Sequence, residues 1–322
     1  MGYLRKLLNY KKIYIQCHDN PDADAIGSAF GVYRYLRMHG ANASIIYGGE
    51  QEIKKCANQM LVKECRIPIV HTHSIEEDAM LLLVDCQYGA TNVEKFSAKH
   101  IAMIDHHVCT TEEHEDYFIK DNYQCCCTIV YELLKEEGYC VKEDEALSIA
   151  LLYGLYTDTA CFADLFGHQD MDMRKELYAD YALFDRLAKS NMSMEELKIA
   201  TDAMYHHYLD EKYRFAIVSA LECEQTILGV IGDFIIQVDA VNLSFAYSEA
   251  DAGYRISLRS CDEKYPANEI AAYVCDGIGG GGGHKKKAGG QIVREKMIEK
   301  YGTDDMFNIV NHLLRKYLEE NL

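Results

Sequence analysis

The sequence predicts an α/β protein: an N-terminal domain built on a parallel sheet flanked by helices, a helical connector, and a smaller α/β C-terminal domain. Three observations predict it. Short, continuous apolar runs alternate with helix-length segments between residues 13 and 158, the pattern of parallel strands buried on both faces. The length of 322 residues favours two cores over one. A second series of strand-like runs then starts at Phe215, after a helical stretch.

Taken in order, the N-terminus leads into a strand-like segment in which Ile13-Tyr14-Ile15 reads as a buried strand. A loop over residues 18 to 24 follows. Ile26, Ala29, Phe30, Tyr33 and Leu36 then recur at helical spacing, and Gly40 suits the helix end. Ser44 to Tyr47, Met80 to Val84 and Ile101 to Ile104 read as strands, the last two ending at Asp85 and Asp105. Residues 125 to 137 and 143 to 157 read as helices, the second running into Thr157-Asp158-Thr159. Helical segments from about 170 to 208 form the connector. In the second domain, Phe215 to Val218, Asn242 to Tyr247 and Tyr254 to Arg259 are strands. Ile231 to Val241 mixes helical and strand signals, a helix lies near Asn268 to Val274, and a glycine-rich loop precedes a last helix at about 304 to 319. The domains run 1–190 and 213–322, with a linker at 191–212 whose edges are soft because the chain has only three prolines.

The net charge of −18 argues against broad binding of long DNA or RNA, which needs many Lys and Arg contacts. It leaves a small phosphorylated substrate open, because bound metal ions can reverse the field locally. The 13 cysteines are odd in number and none is spaced Cys-x-x-Cys, so they read as reduced thiols of a cytoplasmic protein, packed as small hydrophobes. No apolar run is long enough to cross a membrane. The N-terminus has no secretory core, and Lys6 argues against myristoylation.

The chemistry-bearing residues sit at the ends of the apolar segments. His18, Asp22 and Asp24 follow the first strand, Asp85 and Asp105-His106-His107 end two others, and Asp158 ends a further apolar segment, which counts as a fourth strand end although residues 143 to 157 also read as a helix. Taken singly, Asp24 reads as a helix N-cap, Asp158 as a cap, and Asp105-His106-His107 as a solvated turn. Together they converge at the carboxyl edge of one sheet, where α/β proteins bind ligands. Carboxylates with imidazoles suit manganese. Asp22 and Asp24, on alternate residues, can reach two neighbouring ions, with a central carboxylate such as Asp85 between them, a pairing suited to displacement at phosphorus.

In this order the residues resemble the DHH superfamily of phosphoesterases, whose name spells Asp105-His106-His107. They are most similar to its stand-alone bacterial members that degrade nano-oligoribonucleotides, 3′-phosphoadenosine 5′-phosphate or cyclic di-AMP. The first motif is His18 to Ser28, the second Val84-Asp85-Cys86, the third Ile104 to His107 and the fourth Gly154 to Thr159. The C-terminal domain resembles DHHA1 through Ser257-Leu258-Arg259-Ser260 and the glycine run ending at His284. The resemblance implies two Mn²⁺ ions, one held by His18, Asp22 and Asp85, the other by Asp24, Asp85, His106 and Asp158, with Asp85 bridging. It also implies that His107 contacts the scissile phosphate and that Asp105 orients a histidine, which makes His107, Asp105 and Asp85 the catalytic candidates. Arg259 and His284, with Gly281, Gly282 and Gly283, are implied to bind the far phosphate or base. The residues support that role independently: glycines admit an anion close to backbone N–H groups, arginine forks onto phosphate, and Lys285, Lys286 and Lys287 add positive charge. The competing reading of the glycine run is a flexible connector.

Four features depart from the family pattern. Ala23 stands where glycine is common, Ala160 follows the Asp-Thr pair in place of glycine, Lys287 replaces the first alanine of His-x-x-Ala-Ala-Gly, and Phe162 to Asn191 differs from the usual short connection. The expected function is hydrolysis of short nucleotides: oligoribonucleotides of two to five residues, pApA, or 3′-phosphoadenosine 5′-phosphate. The alternatives are cyclic di-AMP hydrolysis and, in a different class, a non-catalytic nucleotide-binding module. Pyrophosphatase is disfavoured by the lack of a Ser-Arg-Lys-Lys run, and a long processive exonuclease by the short chain. The expected partners are a small nucleotide or short oligonucleotide, not duplex nucleic acid or a membrane, with a homodimer left open.

Overall fold

A computed structural model describes residues 2–109, 114–177, 180–190 and 192–321. The chain divides into two units, Met1–Asn191 and Met192–Leu322.

The first unit contains α1 (Tyr3–Leu7), β1 (Ile13–Gln16), α2 (Ala23–Met38), β2 (Ala43–Tyr47), α3 (Cys56–Glu64), β3 (Ile69–His71), β4 (Met80–Val84), β5 (His100–Asp105), β6 (Tyr117–Ile119), α4 (Cys126–Glu136), α5 (Glu145–Asp158), α6 (His168–Glu176) and α7 (Tyr181–Lys189). Among the described residues its strands form a wholly parallel sheet in the order β3-β2-β1-β4-β5-β6. Strand β4 shows why the sequence reads so apolar. Met80, Leu82 and Val84 pack with α2, α4 and α5 on one face, while Leu81 and Leu83 pack with Cys86, Val93 and Phe96 on the other, as alternation across a doubly covered sheet requires. The chain leaves β1 toward β2 on one side and returns to β4 on the other. The crevice beyond β1 and β4 is therefore a topological switch point, where such sheets bind ligands.

Helix α5 is apolar around its whole circumference and buried from Leu147 to Leu155, the mark of a central core helix. It lies close against α2 because both lack side chains at the crossing. A Cβ on Gly27 would come within 2.7 Å of the Ala150 carbonyl oxygen, and one on Gly154 within 2.5 Å of Cys127 Sγ and 3.1 Å of Asp24 Cα. These two motif glycines set the spacing between the helices that carry Asp24 and Asp158.

The second unit contains α8 (Met194–Tyr205), β7 (Tyr208–Asp210), β8 (Phe215–Ala220), α9 (Gln225–Ile235), β9 (Leu243–Ala250), β10 (Gly253–Ser260), α10 (Ala267–Cys275), β11 (Gly279–Gly283), β12 (Lys287–Val293), α11 (Arg294–Tyr301) and α12 (Met306–Asn321). Its sheet runs β11-β12-β10-β9-β8-β7, antiparallel except for β8 against β9. Helices α10 and α12 cover one face, and α8 and α9 the other.

Several local expectations change. The strand read at Ile13 to Ile15 is β1, and a short helix, α1, which the apolar pattern did not indicate, precedes it. The glycine run is not a loop: Gly279 to Gly283 form the edge strand β11, paired in register with Ile292 to Ala288. The mixed segment from Ile231 is helical to Ile235 and then turns. Helices α3 and α11 and strands β3, β6, β7 and β12 were not evident from the apolar pattern, because they are short, polar or glycine-rich.

Candidate active site

Three strand ends and one helix end build the cluster. His18 follows β1, Asp85 follows β4, His106 and His107 follow β5, and Asp158 is the last residue of α5. Asp158 thus arrives from a helix, where a strand end was one reading of its segment.

Asp22, not Asp24, is the N-cap of α2: its Oδ1 accepts the N–H groups of Asp24 and Ala25, both at 3.0 Å. Asp24 lies inside the helix and is fully buried. Its carboxylate faces the N-terminus of α4 and accepts the N–H groups of Cys126 and Cys127, each at 2.7 Å. A helix N-terminus stabilises such a charge. The Cys125-Cys126-Cys127 run, read from sequence only as packing, therefore also holds a site carboxylate through its backbone. No side-chain signal marks that role.

Asp85 has φ of 58°, a left-handed conformation that costs a non-glycine residue about 1–2 kcal/mol and that clusters at functional sites. The turn aims both carboxylate oxygens into the cluster. Asp85 Oδ2 lies 4.0 Å from His18 Nε2, and Oδ1 lies 3.3 Å from His106 Nε2. Oδ1 is buried without a hydrogen-bond partner. His18 Nε2 is also 3.7 Å from Asp22 Oδ1, and His106 Nε2 lies 3.8 Å from Asp24 Oδ2 and 3.7 Å from Asp158 Oδ2.

The histidine tautomers follow from the other ring nitrogen. His18 Nδ1 sits 2.9 Å from the Asp19 carbonyl, and His106 Nδ1 sits 3.3 Å from the Tyr123 carbonyl. With the proton on Nδ1, each Nε2 presents a lone pair to the cluster, the usual arrangement of a metal-binding imidazole. His107 is turned the other way. Its Nδ1 lies 2.8 Å from Asp105 Oδ1, leaving Nε2 on a ring that is largely exposed. Asp105 is fully buried and also accepts Gln87 Nε2 at 2.8 Å and the His106 N–H at 2.9 Å. Burial alone would raise this carboxyl; the His107 and Gln87 hydrogen bonds hold it below the ordinary range instead. Gln87 was not singled out from the sequence.

Burial pushes the carboxyls of Asp85 and Asp158 well above the ordinary range, and repulsion from Asp24 and Asp22 adds to the rise. Burial disfavours charge on His18 and His106, yet the surrounding carboxylates raise both. Two donor groups, each with atoms within 4.8 Å of one another, stand out: His18 with Asp22 and Asp85, and Asp24 with His106 and Asp158. The orphaned Asp85 Oδ1 and the mixed carboxylate–imidazole set fit hard divalent cations.

Beyond Asp158 the backbone takes three successive left-handed residues, Ala160, Cys161 and Phe162, at φ 48°, 59° and 67°. At 160 the conformation is one that glycine adopts most easily, and Ala160 adopts it although it carries a Cβ.

In the second unit, Arg259 is held against α9. Its Nε donates to Asp233 Oδ1 at 2.7 Å and its Nη1 to Ser257 Oγ and the Leu258 carbonyl at 3.0 Å. A Cβ on Gly229 would come within 2.5 Å of Arg259 Nη2, so this glycine makes room for the guanidinium. A cavity of about 260 Å³ is lined by Gln225, Ser257, Arg259, Gly282, Gly283, Lys287 and neighbours. The structure thus brings Arg259, Gly282 and Gly283 together. Gly281 instead turns toward α10, where a Cβ would meet the Ala271 carbonyl oxygen at 2.6 Å. His284 is exposed at the start of the turn that it closes with Lys287.

Comparison with known proteins gives consistent neighbours. Residues 12–157 match the DHH family, N-terminal domain, and residues 212–312 match the DHHA1 domain. The chain is 24% identical over 257 residues to the cyclic-di-AMP phosphodiesterase PdeA of Listeria monocytogenes, covering 70% of this chain and 38% of that protein. It is 27% identical over 283 residues to the cyclic-di-AMP phosphodiesterase GdpP of Geobacillus thermodenitrificans, covering 80% and 42%. It is 28% identical over 235 residues to a probable manganese-dependent inorganic pyrophosphatase of Bacillus cereus, covering 68% and 74%. The chain thus spans well under half the length of the two phosphodiesterases. The crystal structure of an exopolyphosphatase-related protein from Bacteroides fragilis shares the fold, with a TM-score of 0.75 at 19% identity over 98% of this chain and 96% of that one. Among the described residues no helix is long and apolar enough to cross a membrane.

Proposed function

The chain belongs to the DHH family, a DHH domain followed by a DHHA1 domain, and from that membership we propose that it is a two-metal hydrolase of phosphoester bonds in short nucleotides, with manganese as its metal. One observation carries the reading: Asp85, a left-handed residue, groups with His18 and Asp22 through one oxygen and faces His106, which itself groups with Asp24 and Asp158, through the other. His18, Asp22 and Asp85 would hold one ion, and Asp24, Asp85, His106 and Asp158 the other. Bound there, the ions would activate water at neutral pH and clamp the attacking and departing oxygens of an in-line displacement. The protein's own part is positioning. Asp105 fixes the His107 ring through Nδ1, so that Nε2 meets a phosphate oxygen of the substrate. The α4 amides of Cys126 and Cys127 fix the orientation of the Asp24 carboxyl through two hydrogen bonds. Arg259 and the glycine-lined cavity supply a second anchoring point for nucleotide.

A second reading, hydrolysis of cyclic di-AMP, is favoured by the names of the phosphodiesterase relatives. Chromatographic product analysis separates the two. Manganese-loaded protein is offered pApA, a five-residue oligoribonucleotide, 3′-phosphoadenosine 5′-phosphate, cyclic di-AMP and pyrophosphate. Cleavage of the linear substrates, lost in Asp85→Asn, is the expected result; asparagine tolerates the left-handed backbone but removes the charge. Turnover of cyclic di-AMP alone selects the second reading. Metal retention with no turnover of any substrate overturns both in favour of a binding module.

A further inference from the structure

Helix α4 opens without a cap of its own: the side chain of its N-cap residue, Cys125, makes no capping hydrogen bond. Two buried carboxylates from other elements serve its opening instead. Asp24 takes the N–H groups of Cys126 and Cys127. Asp170, in the first turn of α6 and fully buried, accepts the Gln124 N–H on Oδ2 at 3.2 Å and the Thr128 hydroxyl on Oδ1 at 2.6 Å. A Cβ on Gly167, the N-cap of α6, would stand 2.0 Å from Asp170 Oδ2, so the bare position at 167 is what admits the carboxylate. Gln124 extends the join. Its Oε1 accepts the N–H groups of Phe166 and Gly167 at 2.7 and 2.6 Å, and its Nε2 donates to the Asp164 carbonyl at 2.7 Å. The Asp164 N–H in turn donates to the carbonyl of Thr159, the residue after Asp158, at 3.0 Å. At the near end of the segment, the Tyr123 carbonyl meets His106 Nδ1. The stretch from Tyr123 to Thr128 therefore supports three candidate donors: Asp24, His106 and Asp158. His18 and Asp22 are held elsewhere, by the Asp19 carbonyl and by the amides of Asp24 and Ala25.

We propose that Asp170 and Gln124 are positioning residues for the ion of Asp24, His106 and Asp158, and that the ion of His18 and Asp22 is independent of them. The proposal rests on the two-metal reading and divides it into two ions with separate supports. Asp170 touches no donor. It acts by pinning the opening of α4, which carries both the amides that aim Asp24 and the carbonyl that fixes the His106 ring. An opening free to shift by about 0.5 Å would take both with it, enough to spoil a metal site. Asp170, with Asp164, Phe166 and Gly167, lies in the stretch where this chain departs from the family's short connection, so the clamp is a device of this chain.

The test uses the full chain and two variants that keep side-chain volume: Asp170→Asn, which leaves one acceptor oxygen for two donors, and Thr128→Val, which removes the hydroxyl. Leu134→Ala, buried toward the other end of α4, is the control for a loss of stability alone. The first readout needs no metal. Long-range proton–nitrogen NMR of the metal-free protein, taken above the pH at which the site histidines lose their charge, reports which ring nitrogen holds the proton. Wild type should show Nδ1–H for both His18 and His106. Asp170→Asn and Thr128→Val should mix the tautomers of His106 and leave His18 unchanged, and Leu134→Ala should alter neither. The second readout is a manganese titration, with free ion counted by electron paramagnetic resonance. Both variants should weaken one of two ions roughly 10–100-fold, the range for removal of groups that orient metal ligands, and spare the other. In an Asp158→Asn background, where that ion has already lost a donor, Asp170→Asn should add little. Equal weakening of both ions, the same pattern in Leu134→Ala, or an undiminished loss in the Asp158→Asn background each overturn the proposal. Two ions bound by wild type, with neither ion nor tautomer altered in the variants, would overturn it and leave the two-metal reading standing. No manganese bound by wild type would sink that reading and the ion's part of the proposal together, while a change confined to His106 would still uphold the clamp on its ring.

Discussion

Asp85 concentrates the conflict between stability and function in one residue. Its backbone is left-handed, and its carboxylate is buried beside Asp24, Asp22 and Asp105. Because burial and repulsion raise the carboxyls of Asp85 and Asp158 in the folded state, the unfolded chain releases these protons first as pH rises. His18 and His106, also raised, act in the same direction. The metal-free protein therefore loses stability as pH climbs from the ordinary carboxylate range through these raised values. Asp85→Asn should raise the melting temperature of the metal-free protein at pH 8 by a few degrees, on the order of 1 kcal/mol, and abolish stabilisation by manganese. A scan in EDTA showing the variant less stable than wild type would contradict this account. The same four groups must give up protons to bind a cation. Manganese affinity should therefore weaken as pH falls from 8 to 6, with proton release visible as a buffer-dependent heat in titration calorimetry. A pH-independent affinity would mean that the ion sits elsewhere. The acidic and imidazole donors were legible in the sequence because each follows an apolar run. Gln87 and the Tyr123 carbonyl were not, since nothing in residue type marks a hydrogen bond to Asp105 or His106.

At the scale of elements, the site depends on how closely α2 and α5 approach. Gly27 and Gly154 permit that approach, and Gly154 lies against Asp24 itself. Gly154→Ala places a methyl group where Cys127 Sγ and the Asp24 backbone already stand. Overpacking of this kind costs roughly 1–3 kcal/mol, and here the displaced atoms belong to a donor and to the helix that cradles it. Denaturant unfolding should register the loss, and manganese titration should show weaker binding even though no donor has changed. Unaltered metal affinity in a destabilised variant would show that the crossing supports the core without setting the donors. The strands of the first unit were legible because buried parallel strands are continuously apolar. Strand β11 was not, because five glycines carry no periodicity and resemble a loop until their pairing with β12 is known. Asp158 was ambiguous for a related reason: α5 is apolar on all sides, so neither period stands out, and its last residue reads equally as a strand or helix end.

For the whole molecule, the two units carry different chemistry on separate cores. The candidate metal donors all lie in Met1–Asn191, and Arg259 and the glycine strand lie in Met192–Leu322. The net charge of −18 is thus unevenly used: acidic groups gather at one site, while a basic cavity interrupts the acidic background at the other. A ligand that binds only the native state stabilises the unit it touches by RT ln(1 + [L]/Kd), about 2.7 kcal/mol at a hundredfold excess over Kd. Scanning calorimetry should therefore separate the two. Manganese should move the transition of the first unit by roughly 5–10 °C, given that 1 kcal/mol shifts a unit of this size by about 2–4 °C, and should leave the other nearly fixed. Adenosine 5′-monophosphate in EDTA should move only the transition of the second unit. Limited proteolysis at each temperature assigns the transitions to their fragments. If both ligands shifted both transitions equally, the units would unfold as one cooperative block, and a nucleotide anchored in the second unit would then be energetically coupled to the metal donors of the first through folding itself.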